Sequence, residues 1–128
     1  VSWVWIDEAE AKAIHLRLLS LHGGASGLRD PGLLASALAR PRQIEAYGDA
    51  PDVADLATGY TAGVVHNHPF VDGNKRTGFV LGVLFLELNG ARFTASEADA
   101  TRAALDLASG ALDDTGYAAF LRQNVEIG

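Results

Sequence analysis

The chain has 128 residues, 48% of them hydrophobic, and a net charge of −6. That fits one domain, residues 1–128, with an ordinary core, and argues against disorder. It has no cysteine, which excludes disulfides and thiolate metal sites, and its acidic balance excludes the broad basic face that direct nucleic-acid binding needs.

No apolar run exceeds about ten residues, too few to span a bilayer. The N-terminus, Val1-Ser2-Trp3-Val4-Trp5-Ile6-Asp7, lacks a basic flank and soon turns acidic, so it does not read as a signal peptide. A first helix is expected over Ile6 to His22, with Asp7 as N-cap and Ala11, Ile14, Leu18 and Leu21 on one face. Gly23-Gly24 ends it. Asp30-Pro31 starts a second helix over about 31–39, which the Arg40-Pro41 pair is expected to stop. Ile44 to Tyr47 reads as a short extended piece, a small β-flap.

Asp52 caps a third helix to about His66. Its Gly59 and Gly63 each cost ~1 kcal/mol against Ala, so a close packing partner is expected there. The fourth helix, Asn74 to Asn89, is apolar nearly all round from Phe79 to Leu88 and is expected to be the buried central one. Gly90 stops it, and Ala91 to Ala95 is a short extended link. Ser96 opens a fifth helix to about Ser109. Asp113-Asp114 opens a sixth, with Tyr117, Phe120 and Leu121 inward, ending near Val125. The fold class is all-α, about six helices around a buried central one.

Between the third and fourth helices lies His68-Pro69-Phe70-Val71-Asp72-Gly73-Asn74-Lys75-Arg76-Thr77-Gly78. The amides of Gly73, Asn74, Lys75 and Arg76 fall at a helix start, where free N–H groups and the macrodipole favour an anion. Lys75 and Arg76 add two cations, and the whole suits the phosphates of a nucleotide. Asp72 beside it suits Mg2+ bridging phosphate oxygens. His68 suits a general base, its ordinary pKa being near neutrality. Taken singly, each residue has a plainer explanation: a structural histidine at a helix end, a turn aspartate before glycine, a solvated helix start. Their concentration in one hinge against an apolar helix favours phosphoryl or nucleotidyl transfer.

The hinge resembles the Fic motif, H-P-F-x-[D/E]-G-N-[G/K]-R, at every specified place from His68 to Arg76. With Lys75 it is similar to the death-on-curing branch, the Doc toxins of bacterial toxin–antitoxin pairs. Gly27-Leu28-Arg29-Asp30, Leu34, Ser36-Ala37-Leu38 and Arg40-Pro41 are similar to the family's upstream block. The resemblance implies a Fic fold, with His68 as the base activating a hydroxyl on a target protein. It implies Phe70 as the buried anchor of the loop, Asp72 as the Mg2+-binding acid, and Gly73, Asn74, Lys75 and Arg76 as the anion cradle. Ile44 to Tyr47 falls where the family places a flap that aligns the target by strand addition.

AMP-transferring Fic enzymes usually carry Gly at the place of Lys75 and a second Arg at that of Phe79. Doc-type toxins share both departures and are understood to hold ATP reversed, moving its terminal phosphate. The implied activity is therefore a kinase acting on a Ser or Thr hydroxyl in the bacterial cytoplasm, on a translation factor such as elongation factor Tu. Gly73, where Doc often has alanine, keeps AMP transfer as the alternative. The family's inhibitory-helix pattern, [S/T]-x-x-x-E-[G/N], is not found: Glu126 precedes Ile127 and Glu97 precedes Ala98. Control by an antitoxin in trans, a helical segment in a groove, is the expectation.

Two rivals differ in class. His66-Asn67-His68 spells the HNH nuclease letters without the ββα context, and His66, His68 and Asp72 form a metal-hydrolase triplet that leaves the cradle without a purpose. A non-catalytic Fic-fold regulator is the other, and the intact His68 and Asp72 argue against it. His15 and His22 read as structural or solvated.

Overall fold

The computed structural model describes residues 2–128. They form α1 (Glu8–His22), α2 (Pro31–Tyr47), α3 (Val53–Asn67), α4 (Asn74–Leu88), β1 (Ala91–Phe93), α5 (Glu97–Ser109), α6 (Asp114–Gln123) and β2 (Val125–Ile127). Among these residues no helix is long and apolar enough to cross a membrane. Asp7, Asp30, Asp52, Ser96 and Asp113 each cap a helix as expected, their side chains accepting first-turn N–H groups. β1 and β2 pair antiparallel, with Arg92 opposite Glu126. β1 falls within the expected extended link, and its partner β2 is an addition to the expected elements.

The central helix is α3, not α4 as expected. Eleven of the fifteen residues of α3 are buried, against seven of fifteen in α4. The reason is closeness of approach rather than hydrophobicity. α2, α4 and α6 all pack on α3. A Cβ on Gly63 would stand 2.8 Å from the Ala37 carbonyl oxygen, and one on Gly59 would stand 3.2 Å from Pro41 Cα. On the opposite side the Thr61 hydroxyl donates to the Gly78 carbonyl at 2.8 Å. A Cβ on Gly82 would collide with that same hydroxyl. Glycines on both interfaces thus let backbones approach, which is the packing reason their helical cost requires.

The flap is likewise corrected: Ile44 to Tyr47 is the last turn of α2, which continues as helix past Pro41. Proline removes the bond to the Ala37 carbonyl and costs about 3 kcal/mol in a helix interior. Here Leu34, Leu38 and Pro41 are buried and Ile44 is half-buried, so the apolar stripe continues at helical spacing past the proline. Both Pro41 and Ile44 seat against Gly59, and that burial outweighs the lost bond.

The segment before α1 is laid on the core. Trp3 and Trp5 pack on Phe85 at centroid distances of 6.1 and 5.7 Å. Tyr60 accepts the Ile6 N–H at 2.9 Å, and burial raises its phenol pKa. Leu21, placed on the inner face of α1 by its spacing, is 59% exposed instead.

At the other end, Arg122 of α6 grips the start of α3, with Nε 2.7 Å from Asp52 and Nη2 3.1 Å from Asp55. The Arg122 hydrogen bond holds the Asp52 carboxyl at about 2, below its ordinary 3.8, against the opposing effect of burial. A lowered folded-state pKa stabilises the fold above about pH 4 and loses that contribution as pH falls toward 2. Both side chains are nearly half exposed, so screening keeps the effect small. Arg122→Gln should therefore flatten the dependence of urea-unfolding stability on pH between about 4 and 2, leaving its shape above pH 5 unchanged. Gly63→Val should drive a branched side chain into the α2 backbone. A loss of about 2 kcal/mol, read as a Tm lower by roughly 5–10 °C in calorimetry, is expected.

Candidate active site

The chain turns from α3 to α4 through His68–Gly73, and both ends of this turn leave the usual regions of backbone space. His68 is the C-cap of α3 with φ 50 and ψ 57, and Gly73 is the N-cap of α4 with φ 78. Left-handed backbone costs a β-carbon residue roughly 1–2 kcal/mol, so at His68 the surroundings must hold it. Arg29 does much of this. Its Nε donates to the His68 carbonyl at 2.8 Å and its Nη2 to the Asn67 carbonyl at 3.0 Å, capping the end of α3. The same upstream segment pairs with the hinge: Arg29 N–H donates to the Pro69 carbonyl at 2.7 Å and Val71 N–H to the Gly27 carbonyl at 3.0 Å. Leu28 and Phe70 form the bridge between them.

Inside the turn, Asn74 closes a ring. Its Oδ1 accepts the Phe70 N–H at 3.0 Å and its Nδ2 donates to the Phe70 carbonyl at 2.9 Å. The side chain is 7% exposed. Its Nδ2 also lies 3.4 Å from His68 Nδ1, a long contact that orients the imidazole edge without fixing its tautomer. Asn74 is expected in an anion cradle through its amide N–H; its side chain is instead committed to holding the loop. Phe70 is buried, as its anchoring role requires.

Asp72 is exposed, and its carboxylate is already oriented. Oδ1 accepts the Gly73 N–H at 2.8 Å and Oδ2 the Ala25 N–H at 3.3 Å. A Cβ on Gly24 would stand 2.9 Å from that Oδ2. The Gly23-Gly24 stop after α1 therefore also makes room for this acid.

α4 alone among the six helices starts without a side-chain cap. The first-turn amides of Asn74, Lys75 and Arg76 have no i−4 carbonyl to bond. Lys75 and Arg76 are exposed and enter no ion pair among the described residues. The structure brings every expected site residue to one open cavity of about 400 Å3, lined by His68, Val71, Asp72, Gly73, Asn74, Lys75 and Arg76. His66 is exposed, and no group of three His, Asp or Glu side chains among the described residues is placed to hold a metal by itself. The metal-hydrolase triplet is therefore not assembled.

Phe79 is absorbed by the fold. It packs edge-on against Phe93 at 5.9 Å, and Phe93 continues to Phe120 at 6.2 Å. Arg29 had no role assigned from the sequence, and His15, read as structural or solvated, is structural: on α1, it is buried against the hinge. A signal for His15 existed. It falls four residues after Ala11 and three before Leu18, on the apolar face of α1.

Residues 5–86 match the model of the Fic/DOC family. Over 85 residues the chain is 33% identical to the protein named "Protein kinase doc" of Escherichia phage P1, covering 66% of this chain and 68% of that one. Over 75 residues it is 44% identical to "Toxin Doc" of Mycolicibacterium smegmatis, covering 57% of each chain. The chain belongs to the Fic/DOC family, and its six helices agree with an all-α fold of that kind.

The Asn74 ring is open to direct test. Asn74→Asp keeps the shape but removes both Nδ2 contacts and sets a carboxylate against the Phe70 carbonyl. A stability loss of about 2 kcal/mol in urea unfolding is expected, since a buried acceptor loses its donor.

Proposed function

We propose that the chain is the toxin of a toxin–antitoxin pair, transferring the terminal phosphate of ATP to a Ser or Thr hydroxyl of a target protein. The observation that carries this reading is the convergence of His68, Asp72 and the uncapped first turn of α4 on one cavity. The names of the two relatives, one a protein kinase and one a toxin, support it.

The residues fit Mg2+ and ATP. Three amides and two unpaired cations suit the phosphates. Asp72 is the one carboxylate lining the cavity. Each of its oxygens accepts one backbone N–H, which leaves lone pairs for a cation. Mg2+ held there would neutralise phosphate charge.

The protein's own part is acid–base chemistry and positioning. His68 takes the proton as the target's hydroxyl oxygen forms its bond to the terminal phosphorus. The bond from that phosphorus to the bridging oxygen breaks, and ADP leaves. Lys75 in the cradle and Phe79 turned into the fold favour the terminal phosphate over AMP as the group moved. The alternative, AMP transfer, rests on Gly73 in the motif, which is closer to the AMP-transferring pattern than the alanine Doc-type toxins often carry.

The target we infer is a translation factor such as elongation factor Tu, in the bacterial cytoplasm. Control would come from an antitoxin in trans, as a helical segment.

The test uses Mg2+ with ATP labelled separately on the γ- and α-phosphates, and elongation factor Tu or a bacterial lysate as acceptor. Label from γ is the expected result, and His68→Ala should lower the rate about 100- to 10,000-fold. Label from α alone would establish AMP transfer instead. No label from either would sink the phosphotransfer reading.

A further inference from the structure

We infer that His15 is a positioning residue for the site: from α1 it aims the Asp72 carboxylate through the peptide bond between Asp72 and Gly73. The inference rests on the phosphotransfer reading in one respect only, the use of that carboxylate toward a magnesium nucleotide.

The geometry is specific. The His15 ring is buried, 3% exposed. It stacks on Phe70 with centroids 3.8 Å apart and planes 9° from parallel. Its Nε2 lies 2.8 Å from the Asp72 carbonyl oxygen, 57 residues away in sequence. A carbonyl has no proton to give, so Nε2 carries the hydrogen and donates it.

The consequence follows from the rigidity of the peptide unit. The Asp72 carbonyl and the Gly73 N–H belong to one plane. Fixing the carbonyl fixes that plane, and with it the direction of the N–H. The Gly73 N–H in turn donates to Asp72 Oδ1 at 2.8 Å. One imidazole therefore reaches the carboxylate through a chain of two hydrogen bonds and one rigid group. The same plane sets the left-handed turn at Gly73 that opens α4. His15 also lies along the backbone there, its Nε2 3.8 Å from where a Gly73 Cβ would stand.

Packing alone does not explain a histidine here. Phenylalanine would fill the same space and stack on Phe70 as well. What it would not supply is the donor. Glutamine would place an amide N–H near the position of Nε2 while giving up the aromatic stack. The two variants separate the roles.

Purified wild type, His15→Phe and His15→Gln are compared in two measurements. The first is binding of fluorescent N-methylanthraniloyl ATP at increasing Mg2+. His15→Phe should raise the Mg2+ concentration for half-saturation about tenfold or more, the range seen when a partner of a metal-binding group is lost. His15→Gln should return it to within about threefold of wild type. The second is amide hydrogen exchange over residues 70–77 in the absence of nucleotide. It should quicken by about tenfold in His15→Phe and stay near the wild-type rate in His15→Gln.

The idea is overturned if His15→Phe matches wild type in both measurements, or if the two variants shift alike. If wild type binds no magnesium nucleotide, the phosphotransfer reading fails while the exchange comparison still decides the role of His15. If His15→Phe does not fold, His15→Gln alone decides: a folded variant with faster exchange over 70–77 overturns the inference, and wild-type exchange supports it.

Discussion

Everything at the site depends on how closely α3 and α4 lie together. The Thr61 hydroxyl reaches the Gly78 carbonyl only because Gly78 and Gly82 present no side chain to α3. That contact fixes the two helices at near-backbone separation. The loop joining them has little freedom left, since the end of one helix and the start of the other are already placed. A buried hydroxyl-to-carbonyl bond is worth only about 1 kcal/mol. Its weight here is geometric: it sets a distance that bulkier residues would change.

Within that frame the turn is held from three directions. Arg29 caps the end of α3 from one side, Asn74 ties the Phe70 backbone from within, and His15 supports Phe70 and Asp72 from beneath. Two left-handed residues only five apart would be a poor loop in isolation. The three supports come from α1, the loop before α2, and α4, so this short motif works only in the company of much of the chain. This explains why the upstream Gly27-Leu28-Arg29-Asp30 block accompanies the motif: it supplies the strand-like pairing and the cap.

Most of the architecture was legible because helix starts and stops are local events. Asp7, Asp30, Asp52, Ser96 and Asp113 each precede a periodic run, and each is observed as an N-cap. The motif residues were also legible as one cluster, because they are neighbours in sequence. The failures share a cause in tertiary contact. Pro41 is a local stop signal overridden by the glycine face of α3. α4 looked central because it is apolar, whereas α3 is central because it is slim. β2 forms only because β1 is waiting for a partner. Arg29 serves atoms far away in sequence, and no local pattern encodes such a service; the spacing of His15 marks its burial but not the atoms it meets. The choice between Phe79 and arginine, in contrast, was readable from one letter, and the structure adds that this side chain belongs to an aromatic row with Phe93 and Phe120.

One structural feature bears on how this chain tolerates change. Five helices begin with an aspartate or serine whose oxygen closes the first turn, and α4 begins with Gly73. Judged by helix stability alone, position 73 is where a consensus-minded designer would first intervene, since serine or aspartate is a strong helix start. Either residue would strain the left-handed backbone there and offer its own oxygen to the amides that the cavity leaves open. A stabilising habit applied uniformly along the chain would thus cap the one helix start among the described residues that carries no side-chain cap.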